Sequence, residues 1–147
     1  MNIMHLKLKK TATTETSINE KEHAKLWFKQ LHGGAVPSTM ENLKDAAAGE
    51  AYEFEDMYAR FAKEAREEGF DEIAEMFDGV GQVESAHFDR YQKLMANIND
   101  GIVFKRDGVT VWKCRNCGHI HTGSEAPAVC PVCKHPQSFF EIRGENY

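Results

Sequence analysis

The chain has 147 residues, of which 41% are hydrophobic and 28% charged, with a formal net charge of −5 and an isoelectric point near 5.8. This composition predicts a soluble globular chain with room for one modest domain and a small second one. The negative charge argues against nucleic acid as a partner, and no apolar run approaches the ~20 residues of a membrane helix, so no membrane is expected either.

Residues 1–17 are predicted to be a polar, poorly ordered N-terminal lead. They combine a basic cluster with a Thr-rich stretch and show no amphipathic period. They also lack the hydrophobic region and cleavage site of a secretory signal, so we expect a cytoplasmic location.

The first predicted helix runs from about residue 18 to residue 31, where a Gly-Gly pair ends it. Glu20 and His23 lie three residues apart on one side of it, and Trp27 follows at helical spacing. The pair is a Glu-x-x-His motif.

The second predicted helix covers residues 39–68, with Ser38 and Glu41 as a capping box. Its apolar stripe carries Glu50, and Glu53 lies three residues further along on the adjoining edge. Because this helix is acidic throughout, Glu53 by itself also fits a solvated face.

The third predicted helix begins at Asp71, ends near residues 99–101, and places Glu84 and His87 on an apolar stripe. Burying an unpaired carboxylate or imidazole costs on the order of several kcal/mol, so both side chains are expected to have a partner. A metal ion is the candidate we favour. The stripe consists of Ile73, Phe77, Val80, Glu84, His87, Tyr91, Leu94 and Ile98.

Three helices therefore direct carboxylates and imidazoles towards one interior. Four-helix bundles that hold two irons or manganeses use one Glu from each of two helices and a Glu-x-x-His from each of the other two. Carboxylate oxygen suits iron, and imidazole completes a mixed ligand set. The side chains concerned are Glu20, His23, Glu50, Glu53, Glu84 and His87.

From residue 102 the pattern changes to short strand candidates around four cysteines, and we place a domain boundary there. The pairs Cys114-x-x-Cys117 and Cys130-x-x-Cys133 predict a tetrahedral four-thiolate metal site rather than disulfides. The spacing alone fits zinc and iron equally. Iron is favoured because a redox-active di-metal site needs an electron supply, and zinc cannot change its oxidation state.

Four side chains beside the cysteine pairs are interpreted as accessory. His119, His121 and His135 are predicted to be solvated loop residues, since four thiolates already complete a tetrahedral shell. Lys134 stands where a positive φ is often needed, a conformation that glycine adopts more easily.

These motifs together resemble the rubrerythrin family, in which a ferritin-like di-iron bundle precedes a rubredoxin-like domain. The resemblance implies an all-α ferritin-like helical bundle, with three helices present at residues 18–101, followed by a small β-rich rubredoxin-like domain at residues 102–147. It covers roughly residues 18–141, and the matching stretches are Asn19–Lys25, Glu41–Tyr58, Ala62–Phe70, Val83–His87 and Val111–Pro136.

The resemblance also implies site residues and an activity. The six bundle side chains would ligate two irons, with Glu53 and His23 as the ligands that exchange on redox change and Tyr58 hydrogen-bonded to the site. The four cysteines would bind a third iron. The implied reaction reduces hydrogen peroxide to water, with electrons relayed through the four-thiolate iron from an NAD(P)H-dependent reductase or rubredoxin, in a homodimer.

One departure concerns the first helix of the family, which would stand where this chain has residues 1–17. A bundle one helix short would expose an apolar flank on the order of several hundred Å². Two chains could pair their Glu50 and Glu84–His87 hairpins into one four-helix site. Alternatively the bundle is truncated and only the four-thiolate site functions, as an electron carrier or metal-binding module. Iron storage ranks last, because it needs no thiolate domain.

Overall fold

The computed structural model describes the backbone of residues 3–146 and the side chains of residues 14–146. Within this range, helices precede a small antiparallel sheet, which confirms the predicted fold class. The chain divides into two compact units, residues 1–42 and 43–147, which are described separately. The elements are α1 Ile3–Leu31, α2 Thr39–Tyr52, α3 Tyr58–Glu67, α4 Asp71–Asn99, β1 Lys105–Cys114, β2 Ile120–Glu125 and β3 Phe140–Ile142.

The first unit contains α1, which begins earlier than the sequence predicts. The helix is continuous from Ile3, so residues 3–17, expected as a polar lead, are helical, while residues 1 and 2 lie outside the described range. No glycine or proline occurs between Ile3 and Leu31, and nothing in the backbone chemistry ends the helix sooner. It stops at Gly33, whose φ is 69°, and the next N–H donates to the Lys29 carbonyl at 2.7 Å.

The predicted capping box at the start of α2 is confirmed. The Ser38 N–H donates to Glu41 Oε2 at 2.9 Å, and the Glu41 N–H donates to Ser38 Oγ at 3.2 Å. Each side chain therefore satisfies a backbone donor that the first helical turn leaves unpaired. In place of the single predicted helix 39–68, a π-helical segment, Glu53–Met57, separates α2 from α3.

Helices α3 and α4 pack as an antiparallel hairpin, and we use "the hairpin" for residues 43–99. Phe61 meets Phe77 with ring centroids 5.6 Å apart, while Phe54, in the π segment, meets Phe88 at 5.8 Å. The turn uses Gly69, whose φ is 83°, a conformation that a side chain would strain. The buried hairpin residues, Ala47, Ala62, Ala65, Ala74 and Met95, are mostly small, so the two arms approach closely.

The cysteine domain, residues 102–147, contains a three-stranded antiparallel sheet in the order β2-β1-β3. Trp112 on the central strand lies opposite His121 on one side and Ile142 on the other. Its ring is fully buried, and its indole N–H donates to the Gly123 carbonyl at 3.0 Å. The core cluster consists of Trp112, Cys114, Ala126, Cys130 and Phe140.

The part of the chain that the structure describes contains no helix long and apolar enough to cross a bilayer.

Candidate metal centres

The first cysteine knuckle, residues 114–119, is a tight turn that leaves the end of β1. The Cys114 N–H donates to the His119 carbonyl at 2.9 Å, and the Gly118 N–H donates to the Cys114 carbonyl at 2.9 Å. Gly118 has a φ of 79°, which closes the turn. The His119 N–H points back to the sulfur of Cys117 and is the strongest influence that lowers the pKa of that thiol.

The second knuckle, residues 130–135, repeats this hydrogen bonding. The Cys130 N–H donates to the His135 carbonyl at 2.8 Å, and the Lys134 N–H donates to the Cys130 carbonyl at 3.0 Å. Lys134 has a φ of 61° and is the one non-glycine residue with positive φ in the described range, which confirms the sequence interpretation. The His135 N–H bonds to the Cys133 sulfur as the His119 N–H does to Cys117.

The two knuckles bring all four sulfurs together. Cys114 Sγ lies 3.7 Å from Cys133 Sγ, and Cys117 Sγ lies 3.7 Å from Cys130 Sγ. A metal–sulfur bond of about 2.3 Å requires sulfurs about 3.8 Å apart at the corners of a tetrahedron. The spacing of these cysteines therefore fits one four-thiolate metal ion.

Protonation of the thiols shows why the cluster suits a cation. The His135 N–H, followed by hydrogen bonds from neighbouring side chains, outweighs desolvation and lowers the pKa of Cys133 to about 5. For Cys117 the His119 N–H acts in the same direction, but desolvation and the three other thiols together raise the pKa to about 12. Because metal ions bind cysteine as thiolate, binding of a metal ion would remove the remaining thiol protons.

A second cluster lies at the centre of the hairpin. His87 Nδ1 is 2.7 Å from Glu84 Oε2 and 3.5 Å from Glu50 Oε2. The two carboxylate side chains are 17% and 13% exposed, whereas the imidazole is 49% exposed. Two half-buried carboxylates repel each other unless a positive charge lies between them, and mixed oxygen and nitrogen donors suit iron. Glu50, Glu84 and His87 thus form a candidate metal site.

The π-helical segment begins three residues after Glu50. A π turn contains an extra residue, so it shifts the facing of the residues after it, and such segments are frequent at functional sites. The sequence predicts one continuous helix over residues 39–68, and the π segment departs from that prediction. No residue type in Glu53–Met57 marks a π turn, so the sequence gives no signal for it.

The structure brings three of the six predicted bundle ligands together, and the other three lie outside this cluster. Glu20 and His23 belong to the first unit, where they contact each other at 3.3 Å and are 69% and 60% exposed. Glu53 is the first residue of the π segment. Tyr58, a predicted catalytic residue, starts α3 and lines a groove of about 420 Å³ beside Phe77 and Gly81.

The three predicted accessory histidines stay outside the ligand set. In the described residues, the sulfur cluster contains the four cysteines alone. His135 Nδ1–H donates to the Cys133 carbonyl at 3.1 Å, and the imidazole ring lies 4.4 Å from the Phe139 ring between centroids. This histidine therefore packs against the second knuckle, half-buried rather than solvated.

Comparisons with known proteins match both parts of the chain. A family model described as Rubrerythrin matches residues 5–95, and one described as Rubrerythrin, rubredoxin-like domain matches residues 112–141. A rubrerythrin of Clostridium perfringens is 47% identical, covering 90% of this chain and 76% of that protein. A rubrerythrin of Porphyromonas gingivalis is 46% identical, covering 90% of this chain and 72% of that protein.

Solved structures of nigerythrin are also similar. Its mixed-valent state is 31% identical with a TM-score of 0.42, covering 81% of this chain and 60% of the nigerythrin chain. The chain thus spans about three fifths of that protein's length. By its family models and its curated relatives, the chain belongs to the rubrerythrin family, and with its thiolate and carboxylate clusters it is a non-haem iron protein with di-iron and rubredoxin-like sites.

Proposed function

We propose that this protein reduces hydrogen peroxide to water at the carboxylate site, with electrons relayed through the four-thiolate site. The supporting observation is that one chain of this family holds two clusters of different donor chemistry, sulfur in one and oxygen with nitrogen in the other. The reaction consumes one peroxide, two electrons and two protons and releases two waters. When bound, an iron pair supplies two electrons at once and the four-thiolate iron supplies single electrons.

The residues of the hairpin would hold and shield the iron pair. Glu50 from α2 and Glu84 and His87 from α4 provide three ligands whose donor atoms lie close together. Carboxylates can bridge two cations and balance their charge, so they tolerate a change in oxidation state. Glu20, His23 and Glu53 remain predicted ligands on the family resemblance alone.

Glu53 and Tyr58 are the proposed catalytic residues. Glu53 is the first residue of the π segment, Glu53–Met57, and Tyr58 directly follows it, so the extra residue of this turn sets how the two side chains face relative to Glu50. The Tyr58 side chain carries a phenol O–H, which both donates and accepts hydrogen bonds. It can therefore hold a proton and donate a hydrogen bond to an oxygen atom at the site.

The four-thiolate site has a closed and an open side. Cys114 and Cys130 are fully buried in the core, whereas Cys117 is exposed and Cys133 is partly exposed. Electron transfer with another protein would take place at the open side, where the sulfurs approach the surface. The proposed donor is an NAD(P)H-dependent reductase or a rubredoxin in the cytoplasm.

An electron carrier without peroxide chemistry is the second candidate. It is favoured by a specific contrast: the cysteine domain gathers its full set of four ligands, while the hairpin gathers three. In that case the four-thiolate iron would exchange electrons with partners, and the hairpin would play no part in turnover.

Reoxidation by peroxide separates the two candidates. The iron-loaded full chain is reduced without oxygen and mixed with hydrogen peroxide, and the visible thiolate–iron absorption is followed in time. We expect fast reoxidation in the unchanged protein and at least about 100-fold slower reoxidation in Glu84→Gln/His87→Gln, which removes two ligands. Glu75→Gln/Asp89→Asn is the matched control, since it changes two exposed side chains of the same helix. Equal rates in all three proteins would exclude the peroxidase proposal.

A further inference from the structure

We propose that Lys134 raises the reduction potential of the four-thiolate iron by fixing a positive charge on the second cysteine knuckle. The lysine is not a ligand and touches no substrate, so it is a positioning residue that acts on the iron through space. The inference rests on the proposed electron relay and deepens it, because it concerns how strongly the relay site attracts an electron. The electron itself would come from the protein donor proposed above.

The charge of the site explains why a nearby cation matters. Four thiolates outweigh a ferric ion by one negative charge and a ferrous ion by two, so reduction adds one electron and one negative charge. No iron–sulfur bond forms or breaks, and no proton is taken up. A fixed cation stabilises the more negative ferrous form more than the ferric form, and the reduction potential rises.

The Lys134 side chain folds back over its own knuckle. Its Nζ donates to the Pro131 carbonyl at 2.9 Å, and its backbone N–H donates to the Cys130 carbonyl at 3.0 Å. Pro131 lies between the two ligands of this knuckle, Cys130 and Cys133, and Lys134 directly follows the second. The ammonium group is therefore tied to the loop that carries two of the four sulfurs.

No carboxylate of the two knuckles opposes this charge. Residues 114–119 and 130–135 contain neither aspartate nor glutamate. Further along the chain, Glu141 and Glu145 are each paired with another cation of the cysteine domain. Among the residues that the structure describes, no ion pair includes Lys134. Its positive charge therefore acts on the iron without a local counter-charge.

Arg115 of the first knuckle adds a second fixed cation. Its Nη2 donates to the Ser138 carbonyl at 2.9 Å, and its backbone N–H donates to the Phe139 carbonyl at 2.8 Å. The guanidinium is thus attached to the chain that follows the second knuckle. Arg115 and Lys134 have the same sign of charge, so their effects on the iron add.

The backbone of the knuckle gives an independent reason to assign a role to this side chain. Lys134 has a φ of 61°, and Gly118, at the equivalent position of the first knuckle, has a φ of 79°. This conformation strains any residue that has a Cβ, and such strain is concentrated at functional sites. The second knuckle thus holds a lysine where glycine would form the turn with less strain. A charge beside the iron is what glycine cannot provide.

Redox titration of the iron-loaded full chain tests the proposal. The visible thiolate–iron absorption is followed against the applied potential, without oxygen or peroxide. Lys134→Gln removes the charge and keeps a hydrogen-bond donor, so we expect the equilibrium constant for reduction to fall about two- to fivefold, which is about 20–40 mV. Lys134→Arg keeps the charge and should retain the potential of the unchanged protein. An unchanged potential in Lys134→Gln, or an equal fall in Lys134→Arg, would overturn the proposal.

A distant lysine and added salt provide the controls. Lys105 is also an exposed lysine of the cysteine domain, but it lies at the opposite end of β1 from Cys114, so Lys105→Gln should leave the potential unchanged. The difference between the unchanged protein and Lys134→Gln should narrow between about 0.01 M and about 1 M salt, because the Debye length falls from about 30 Å to about 3 Å. A difference that salt does not alter, or an equal fall in Lys105→Gln, would contradict the proposal.

A second uncharged variant separates the charge from the hydrogen bond. Lys134→Met has a side chain of similar length and no donor, and it should lower the potential as far as Lys134→Gln does. If only Lys134→Met lowered it, the bond to the Pro131 carbonyl rather than the charge would control the potential, and the proposal would fail. Equal thiolate absorption per chain in all variants shows that the site is formed.

The outcomes are distinct from those of the peroxidase test. A lower potential in Lys134→Gln, in a protein that peroxide does not reoxidise quickly, would refute the peroxidase function alone. Fast reoxidation by peroxide together with equal potentials in Lys134→Gln and the unchanged protein would refute the role of Lys134 alone.

Discussion

The cysteine domain and the hairpin gather their ligands in different ways. In the cysteine domain, four sulfurs come from two short knuckles, with Sγ–Sγ distances of 3.7 Å, and two of them belong to the buried core. In the hairpin, three ligands come from two long helices, and the imidazole among them is 49% exposed. The first site is closed by a single local fold. The second is open along one side.

Ligands that are close together in the sequence and ligands on separate helices are positioned by different interactions. A knuckle positions its two cysteines through backbone hydrogen bonds over six residues, so the sequence spacing itself encodes the geometry. A helical bundle positions ligands through packing between helices, and one hairpin supplies only the helices it has.

Removing one sulfur should unfold the cysteine domain and leave the hairpin intact. Cys130 is fully buried, and its thiolate belongs to both the metal site and the core. Because metal binding to such sites contributes on the order of 10 kcal/mol to folding, Cys130→Ser should abolish the thiolate absorption and the native Trp112 fluorescence. Circular dichroism at 222 nm should keep its helical signal. Loss of both signals together would show that the two regions fold as one.

Truncating Trp112, the central aromatic residue of the sheet, should strongly destabilise the cysteine domain without abolishing its metal ligands. Trp112 is fully buried and donates a hydrogen bond at 3.0 Å, so Trp112→Ala should lower the free energy of unfolding of the domain by about 3–5 kcal/mol. Val111 precedes it on the opposite face of β1 and is 37% exposed. Val111→Ala is the control and should cost less than about 1.5 kcal/mol in urea unfolding. Similar costs at the two positions would contradict this assignment of the core.

Single carboxylate substitutions should distinguish clustered from unclustered ligands. Glu50→Gln should weaken iron binding at the hairpin about 10–100-fold, because this carboxylate lies in the cluster. Glu53→Gln should weaken it by less than about 10-fold, because Glu53 lies outside the cluster. Competition with a chelator of known affinity measures both. An equal loss would show that the six-residue set from the family resemblance describes the site better than the cluster does.

The features that the sequence predicts correctly are those set by residues close together in the chain. The four cysteines, the left-handed Lys134 and the Ser38–Glu41 capping box depend on residues a few positions apart, and each was predicted and then found. The pairing of Glu84 with His87 is equally local.

The features that the sequence did not predict depend on contacts between distant residues, or on backbone geometry that no residue type marks. The π segment, Glu53–Met57, adds a residue to one turn and is not marked by glycine or proline. The early start of α1 at Ile3 was missed because polar residues within a helix look like those of a lead. Placement of Glu20 and His23 relative to other ligands requires packing information that spacing does not contain.

The knuckle turns offer the finest comparison, because equivalent positions hold different residues. Gly118 and Lys134 have φ values of 79° and 61°, and each donates its N–H to the first cysteine of its knuckle. A left-handed residue with a side chain costs about 1–2 kcal/mol, while glycine loses about 0.4–1 kcal/mol more entropy on folding. Gly118→Ala should therefore destabilise the domain by about 1 kcal/mol through its left-handed backbone alone. The new Cβ adds no clash, because no atom lies within 4 Å of its position.

Lys134→Gly should raise the stability of the domain, by less than Gly118→Ala lowers it. It removes the left-handed strain but loses the bond from Lys134 Nζ to the Pro131 carbonyl, 2.9 Å long and exposed, so a gain of less than about 1 kcal/mol is expected. Lys134→Ala loses the same bond and keeps the strain, and it should be no more stable than the unchanged protein. Urea unfolding followed at the thiolate absorption gives all three values. If Lys134→Gly were the least stable, the lysine bond rather than the backbone conformation would control this turn.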